Sequence, residues 1–196
     1  MNISIATKSM AACALCVLAL PASSHVSLET KIAPAGSSYK AVFQVGHGCQ
    51  GSATTGISVR IPPGFQGTRP YPKAGWTVVV QQEKLAKPYD NHGKPVTHEV
   101  SVVSWTAVGK DAALQDAHFD EFVLRGKLPE TGGPLWFKVL QTCESGSNDW
   151  SEVPASGASV KGLKSPAVLL EVTSPDAAAA TVPMPAMGHA PGAHQH

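Results

Sequence analysis

Short apolar alternations, each closed by a proline or glycine turn, confine this chain to an all-β architecture. Tyr39, Ala41, Phe43 and Val45 alternate with polar or small neighbours, and so do Ile57, Val59 and Ile61. This is the period-2 pattern of a strand with one buried face. Val26, Leu28 and Ile32 share a parity in the opening segment, and residues 76–80 form a compact apolar run. Segments 97–105, 119–125, 135–141 and 166–173 are rich in Val, Leu, Phe and Trp. Turn chemistry separates these runs: Pro34-Ala-Gly36, Pro62-Pro-Gly64, Pro72-Lys-Ala-Gly75, Asn91-His-Gly93, Pro129-Glu-Thr-Gly-Gly133 and Ser145-Gly146. No window sustains a helical period with caps, and there is no internal repeat. Seven to nine such strands in about 150 residues predict an antiparallel β-sandwich of immunoglobulin-like type.

Residues 1–24 follow another logic. A lone Lys8 precedes an apolar run from Met10 to Leu20 and the small residues Ala22-Ser23-Ser24, the layout of a secretory signal peptide. The run is shorter than the roughly 20 residues a bilayer span needs, and no later segment supplies one. The expectation is an exported, periplasmic protein with no membrane span after processing. Cys13 and Cys16 mimic a redox pair but fall inside the leader. Cleavage after Ser24 makes His25 the first residue, which joins an α-amine and an imidazole in one two-nitrogen chelate.

Removing the leader takes one lysine from the 15 basic residues and none from the 14 acids, leaving 14 of each. Such a balance argues against nucleic acid or an anionic membrane as partner. Cys49 and Cys143 are then the remaining cysteines. An even pair in an oxidising compartment reads as one structural disulfide, typically contributing roughly 2–4 kcal/mol. The competing metal–thiolate reading has no further cysteine to complete it. HExxH, GxSxG and P-loop signatures are absent, so no enzymatic activity is expected.

From Asp176 the chain reads DAAAATVPMPAMGHAPGAHQH. Its composition offers too little apolar surface to offset the entropy of ordering, which predicts a disordered tail over 176–196 behind a domain spanning 25–175. That tail nonetheless gathers Met184 and Met187, the only methionines beyond the leader, with His189, His194 and His196. Thioethers suit Cu(I) and imidazoles suit Cu(II), Ni or Zn, so the tail reads as an auxiliary copper site.

Six short motifs order the rest: His25-Val-Ser-Leu-Glu29, His47-Gly-Cys49, Pro72-Lys-Ala-Gly-Trp76, Phe119-Asp-Glu-Phe122, Gln141-Thr-Cys143-Glu144 and Trp150-Ser-Glu-Val-Pro154. Together, over roughly 25–173, they resemble the YcnI-like family of exported copper-binding proteins. The resemblance implies an immunoglobulin-like domain that binds Cu(II) through a mono-histidine brace: the α-amine and ring of the first residue, a carboxylate, and a nearby tryptophan. Carried onto this chain, these are His25, Glu121 and Trp150. An α-amine titrates near ~7.7–8.0 and imidazole near ~6.5, so Cu(II) would displace few protons at neutral pH. An N,N,O donor set suits the tetragonal preference of that ion. Glu121 lies on the strand face opposite Phe122, whereas Asp120 shares the parity of Phe122; Asp120 and Glu29 remain alternative acids. Trp150 follows the polar run Ser-Asn-Asp, which suits a rim position over a metal edge, with an ordinary aromatic plug as the alternative. His47 reads as structural and His92 as a turn residue, while His98 and His118 stand near strand starts where either could add a ligand.

Many relatives are expected to carry a proline-rich stalk and a membrane anchor; this chain has the Met/His tail instead. The function implied is periplasmic copper trafficking or homeostasis, with a copper chaperone or a copper-acquiring membrane protein as partner. Two alternatives stand beside it. One is a copper-dependent oxidative enzyme of histidine-brace type, which would need a second brace histidine. The other is a non-metal β-sandwich interaction module.

Overall fold

The computed structural model describes residues 25–174, and these form two packed β-sheets. Eleven strands run in chain order: β1 (Ser27–Leu28), β2 (Ile32–Pro34), β3 (Ser38–Val45), β4 (Thr54–Arg60), β5 (Gln66–Pro70), β6 (Trp76–Asn91), β7 (Lys94–Ala107), β8 (Asp120–Lys127), β9 (Gly133–Cys143), β10 (Ser147–Trp150) and β11 (Val168–Thr173). The smaller sheet has the order β1-β3-β8-β5. The larger has β2-β11-β9-β4-β7-β6, with β10 also pairing β9. All pairings are antiparallel except β2 with β11. The predicted sandwich is therefore present, with more strands than the apolar runs alone suggest.

The alternations do what their period requires. In β3 the residues Tyr39, Ala41, Phe43 and Val45 are buried, and in β9 Leu135, Phe137 and Val139 continue the same phase from the facing sheet. Their rings meet edge to face: Phe43 lies 5.4 Å and Phe65 5.5 Å from Phe137. Trp76 and Trp105 pack on Phe122 at 4.9 and 5.8 Å, arrangements that add to plain area burial.

The opening segment departs from its simple parity. Val26 and Leu28 are buried, but Ile32 is 57% exposed. The chain leaves the small sheet after β1 and joins the large sheet as β2, so the phase restarts between them. The run at 76–80 also continues, as β6, to Asn91, where it turns at His92 and Gly93, both with positive φ (54° and 78°). Two such residues make the mirror-type turn that matches strand twist in tight hairpins.

Cys49 and Cys143 are joined as predicted, across 94 residues of sequence. The bridge fixes the segment after β3 to the end of β9, tying the two sheets at one end of the sandwich. No helix among the described residues is long and apolar enough to cross a membrane.

Candidate functional site

Three strands set the geometry around Glu121. Ser27 of β1, Gln44 of β3 and Glu121 of β8 are register partners in one row across the small sheet. Their in-strand neighbours Leu28, Phe43 and Phe122 point into the core, and side chains alternate along a strand, so this row occupies the outer face. Ser27 Oγ donates to Gln44 Oε1 at 3.5 Å, and Gln44 Nε2 donates to Glu121 Oε1 at 3.4 Å. Both are long contacts that leave the carboxylate with ample capacity to accept.

Asp120, one residue earlier, is committed elsewhere. Lys73 Nζ lies 2.7 Å from Asp120 Oδ1, donates to the main-chain oxygen of Glu121 at 3.1 Å, and sits 4.9 Å from the Phe122 ring centroid. The amide N–H of Glu121 also donates to Asp120 Oδ1, at 2.8 Å. Charge-assisted bonds are the strong ones, so Asp120 and Lys73 form a closed, partly buried pair. Of the two neighbouring acids, one is neutralised and one is presented on the sheet face. The third, Glu29, is exposed beside Tyr39. Burial first, and then the negative charge of Glu29, push the Tyr39 hydroxyl up to about 12.

His25 stands two residues before Ser27, and its imidazole centroid lies 4.9 Å from the Trp150 ring, tilted by 55°. The structure thus brings the first and last of the six motifs into ring contact. Trp150 is not at the rim: it is 6% exposed and belongs to the core. The polar run before it misled because Ser147 and Asp149 point outward while the strand alternates. Its indole Nε1–H donates to Gln141 Oε1 at 3.4 Å.

The other histidines are dispersed. His47 Nδ1 faces the carbonyl of its neighbour Gly48 at 2.5 Å. His92 forms the hairpin turn, and His98 pairs with Lys84 on the hairpin. His118 is exposed, its amide bonded to the Gln115 carbonyl. Among the described residues no three His, Cys, Asp or Glu side chains are grouped to hold a metal ion. Met184, Met187, His189, His194 and His196 lie outside the described residues, as does the leader. Three participants were not singled out from sequence as site residues: Gln44, Lys73 and Gln141. Gln44 could have been found from its place between the apolar Phe43 and Val45, which are buried while it is not; the other two lie inside quoted motifs.

The fold comparison defines the class. This is an immunoglobulin-like β-sandwich: a crystal structure of an uncharacterized protein from Nocardia farcinica, described as revealing an immunoglobulin-like fold, superposes with a TM-score of 0.58 at 25% identity, covering 76% of this chain and 99% of that one. The model of a domain of unknown function, DUF1775, matches residues 25–172, and the chain belongs to that family. No curated protein matches.

Proposed function

We propose that this protein is an exported copper carrier that holds Cu(II) at a processed N-terminal His25, with Glu121 as its oxygen donor and Trp150 beside the imidazole. The observation that carries the reading is the contact of the His25 and Trp150 rings, 4.9 Å apart, because it unites two residues 125 positions apart that the YcnI-like resemblance assigns to one site. The donor chemistry supports it. With no side-chain triad among the described residues, a metal bound here needs a donor that is not a side chain, and the α-amine freed by cleavage before His25 is such a donor. Glu121 suits the oxygen role better than Asp120, whose charge Lys73 already neutralises. Bound there, the ion is cargo. His25 and the α-amine supply the two nitrogens, Glu121 lowers the net charge, and the indole shields one side from water. The tail residues Met184, Met187, His189, His194 and His196 form an auxiliary, softer set that suits Cu(I) and raises the local ligand concentration around the domain. A periplasmic chaperone or a copper-acquiring membrane protein is the partner this role requires.

Isothermal titration with Cu(II) tests the reading on a chain whose first residue is His25 and on one with a single residue added before it. Submicromolar binding should be lost with the added residue and weakened in Glu121→Gln, whose paramagnetic resonance spectrum should also change. Equal affinity in all three, or no binding in any, overturns it. Deleting 176–196 should remove only the weaker binding events.

A further inference from the structure

Gln141 breaks the pattern of its own strand. In β9 the buried phase runs Leu135, Phe137, Val139, Gln141, Cys143, and Gln141 is 1% exposed. A buried amide is costly unless its hydrogen bonds are made. Here all four are made. Nε2 donates to the main-chain oxygen of His47 at 2.8 Å and to Thr54 Oγ1 at 2.8 Å. Oε1 accepts from Asn148 Nδ2 at 3.2 Å and from Trp150 Nε1 at 3.4 Å. The orientation of the amide is fixed by its partners, since a main-chain carbonyl only accepts and an indole N–H only donates.

β4 and β10 already pair with β9 through the backbone; the Gln141 side chain adds the His47 segment to them. The His47 segment follows β3, the strand on which β1 and hence His25 are laid. Thr54 opens β4 next to the disulfide, its Oγ1 3.8 Å from Cys143 Sγ. Asn148 and Trp150 belong to β10. The indole is buried in the core; its N–H makes a long contact with Gln141 Oε1 at 3.4 Å, while its ring faces the His25 imidazole.

We infer that Gln141 is a positioning residue that sets the Trp150 indole against the His25 imidazole and thereby tunes the copper site. The effect on copper rests on the function proposed above; the effect on ring geometry does not.

The test begins without metal, on the whole chain as isolated after export. The His25 ring protons lie beside the indole, so their chemical shifts report where that ring sits. In Gln141→Met, which keeps the length and loses every hydrogen bond, those shifts should move toward free-imidazole values, and the Trp150 indole N–H should exchange faster. Cu(II) affinity should fall by ~10-fold or more, as for other residues that orient metal-site groups. In a Trp150→Phe background, which has no indole N–H to hold, adding Gln141→Met should change the affinity by less than ~2-fold; such a cycle separates action through Trp150 from general destabilisation. Unchanged His25 shifts in folded Gln141→Met, or the same affinity loss in both backgrounds, overturns the inference. If Gln141→Met does not fold, Gln141→Glu replaces it. A carboxyl still accepts from the Trp150 N–H in either protonation state, so its His25 shifts should stay with those of the unmodified chain; shifts displaced to free-imidazole values overturn the inference. Failure of the unmodified chain to bind Cu(II) overturns the proposed function and leaves the metal-free comparison to decide the role of Gln141.

Discussion

The two ends of the β6–β7 ladder are both paired antiparallel through the backbone, the far one with a register break between Lys84 and Tyr89, and have almost nothing else in common. At the near end Trp76, Val103 and Trp105 are buried and lie in the shared core. At the far end, from Lys84 to Asn91 and from Lys94 to His98, most side chains are exposed. The far end is held by cross-strand bonds, by the turn at His92-Gly93, and by one brace: Glu99 accepts from the Gly67 N–H of β5 at 3.0 Å and from the Tyr89 hydroxyl. A ladder is thus enough to extend a hairpin, but packing decides how much any residue in it matters.

The widest gap should appear on truncating side chains in each region. Phe122, fully buried between Trp76 and Trp105, also lies under Lys73 and one residue from Glu121. Phe122→Ala should cost ~3–5 kcal/mol, the range for buried aromatic deletions, with an unchanged denaturant slope. Leu85→Ala on the hairpin should cost ~1 kcal/mol or less. Chemical denaturation of both variants measures the difference; comparable losses would mean that the hairpin is as integral as the core.

A smaller effect separates local from global stability. Gly93 has φ 78°, and a Cβ there would meet nothing within 4 Å, so a substitution changes backbone strain and little else. Gly93→Ala should destabilise the turn by ~1–2 kcal/mol, the cost of the left-handed conformation for an L residue. Amide exchange over 84–98 should quicken while amides of β3, β8 and β9 stay protected, because loosely packed segments open without the rest of the fold. Faster exchange throughout the molecule would show one cooperative unit.

The same contrast explains what the amino-acid order disclosed. β3, β4 and β9 were legible because each has one face in the core, which imprints the alternation. The far half of β6, and β5 and β10, were not: QGTRP and SNDW carry no apolar alternation, and their pairing is made by the main chain. Ile32 broke its expected phase because a sheet switch is a tertiary event with no local signature. The same reason explains the site. The row Ser27-Gln44-Glu121 follows from parity once the register is known, yet register is what a sequence does not print. Glu121 and Asp120 could be told apart by face, but the commitment of Asp120 to Lys73 depends on the 46 residues between them folding back. Gln141 was visible as a polar residue in an apolar phase, an anomaly whose four partners only the structure supplies.

The smallest expected effect lies in two tyrosines, one from each region, whose hydroxyls are both held near 12. Tyr39 is in the body, 5% exposed, donating to the Thr30 carbonyl; burial raises it first and the charge of Glu29 second. Tyr89 is on the hairpin, raised by its partial burial, then by donating to Glu99 and by that carboxylate's charge. An unfolded tyrosine titrates near ~10. Between pH 10 and 12 the folded chain keeps protons that the unfolded chain has released, so the stability these groups contribute is complete below pH 10 and declines as pH rises to 12. For Tyr39 that decline belongs to the whole fold, because its ring cannot meet water without opening the core. For Tyr89 it belongs to the hairpin, where solvent screens the interaction. Tyr39→Phe should therefore flatten the alkaline fall in the global unfolding free energy, and Tyr89→Phe should leave that slope nearly intact while changing only the hairpin's amide exchange. Equal flattening by the two variants would join the hairpin to the body energetically and remove the distinction between the two ends of the ladder.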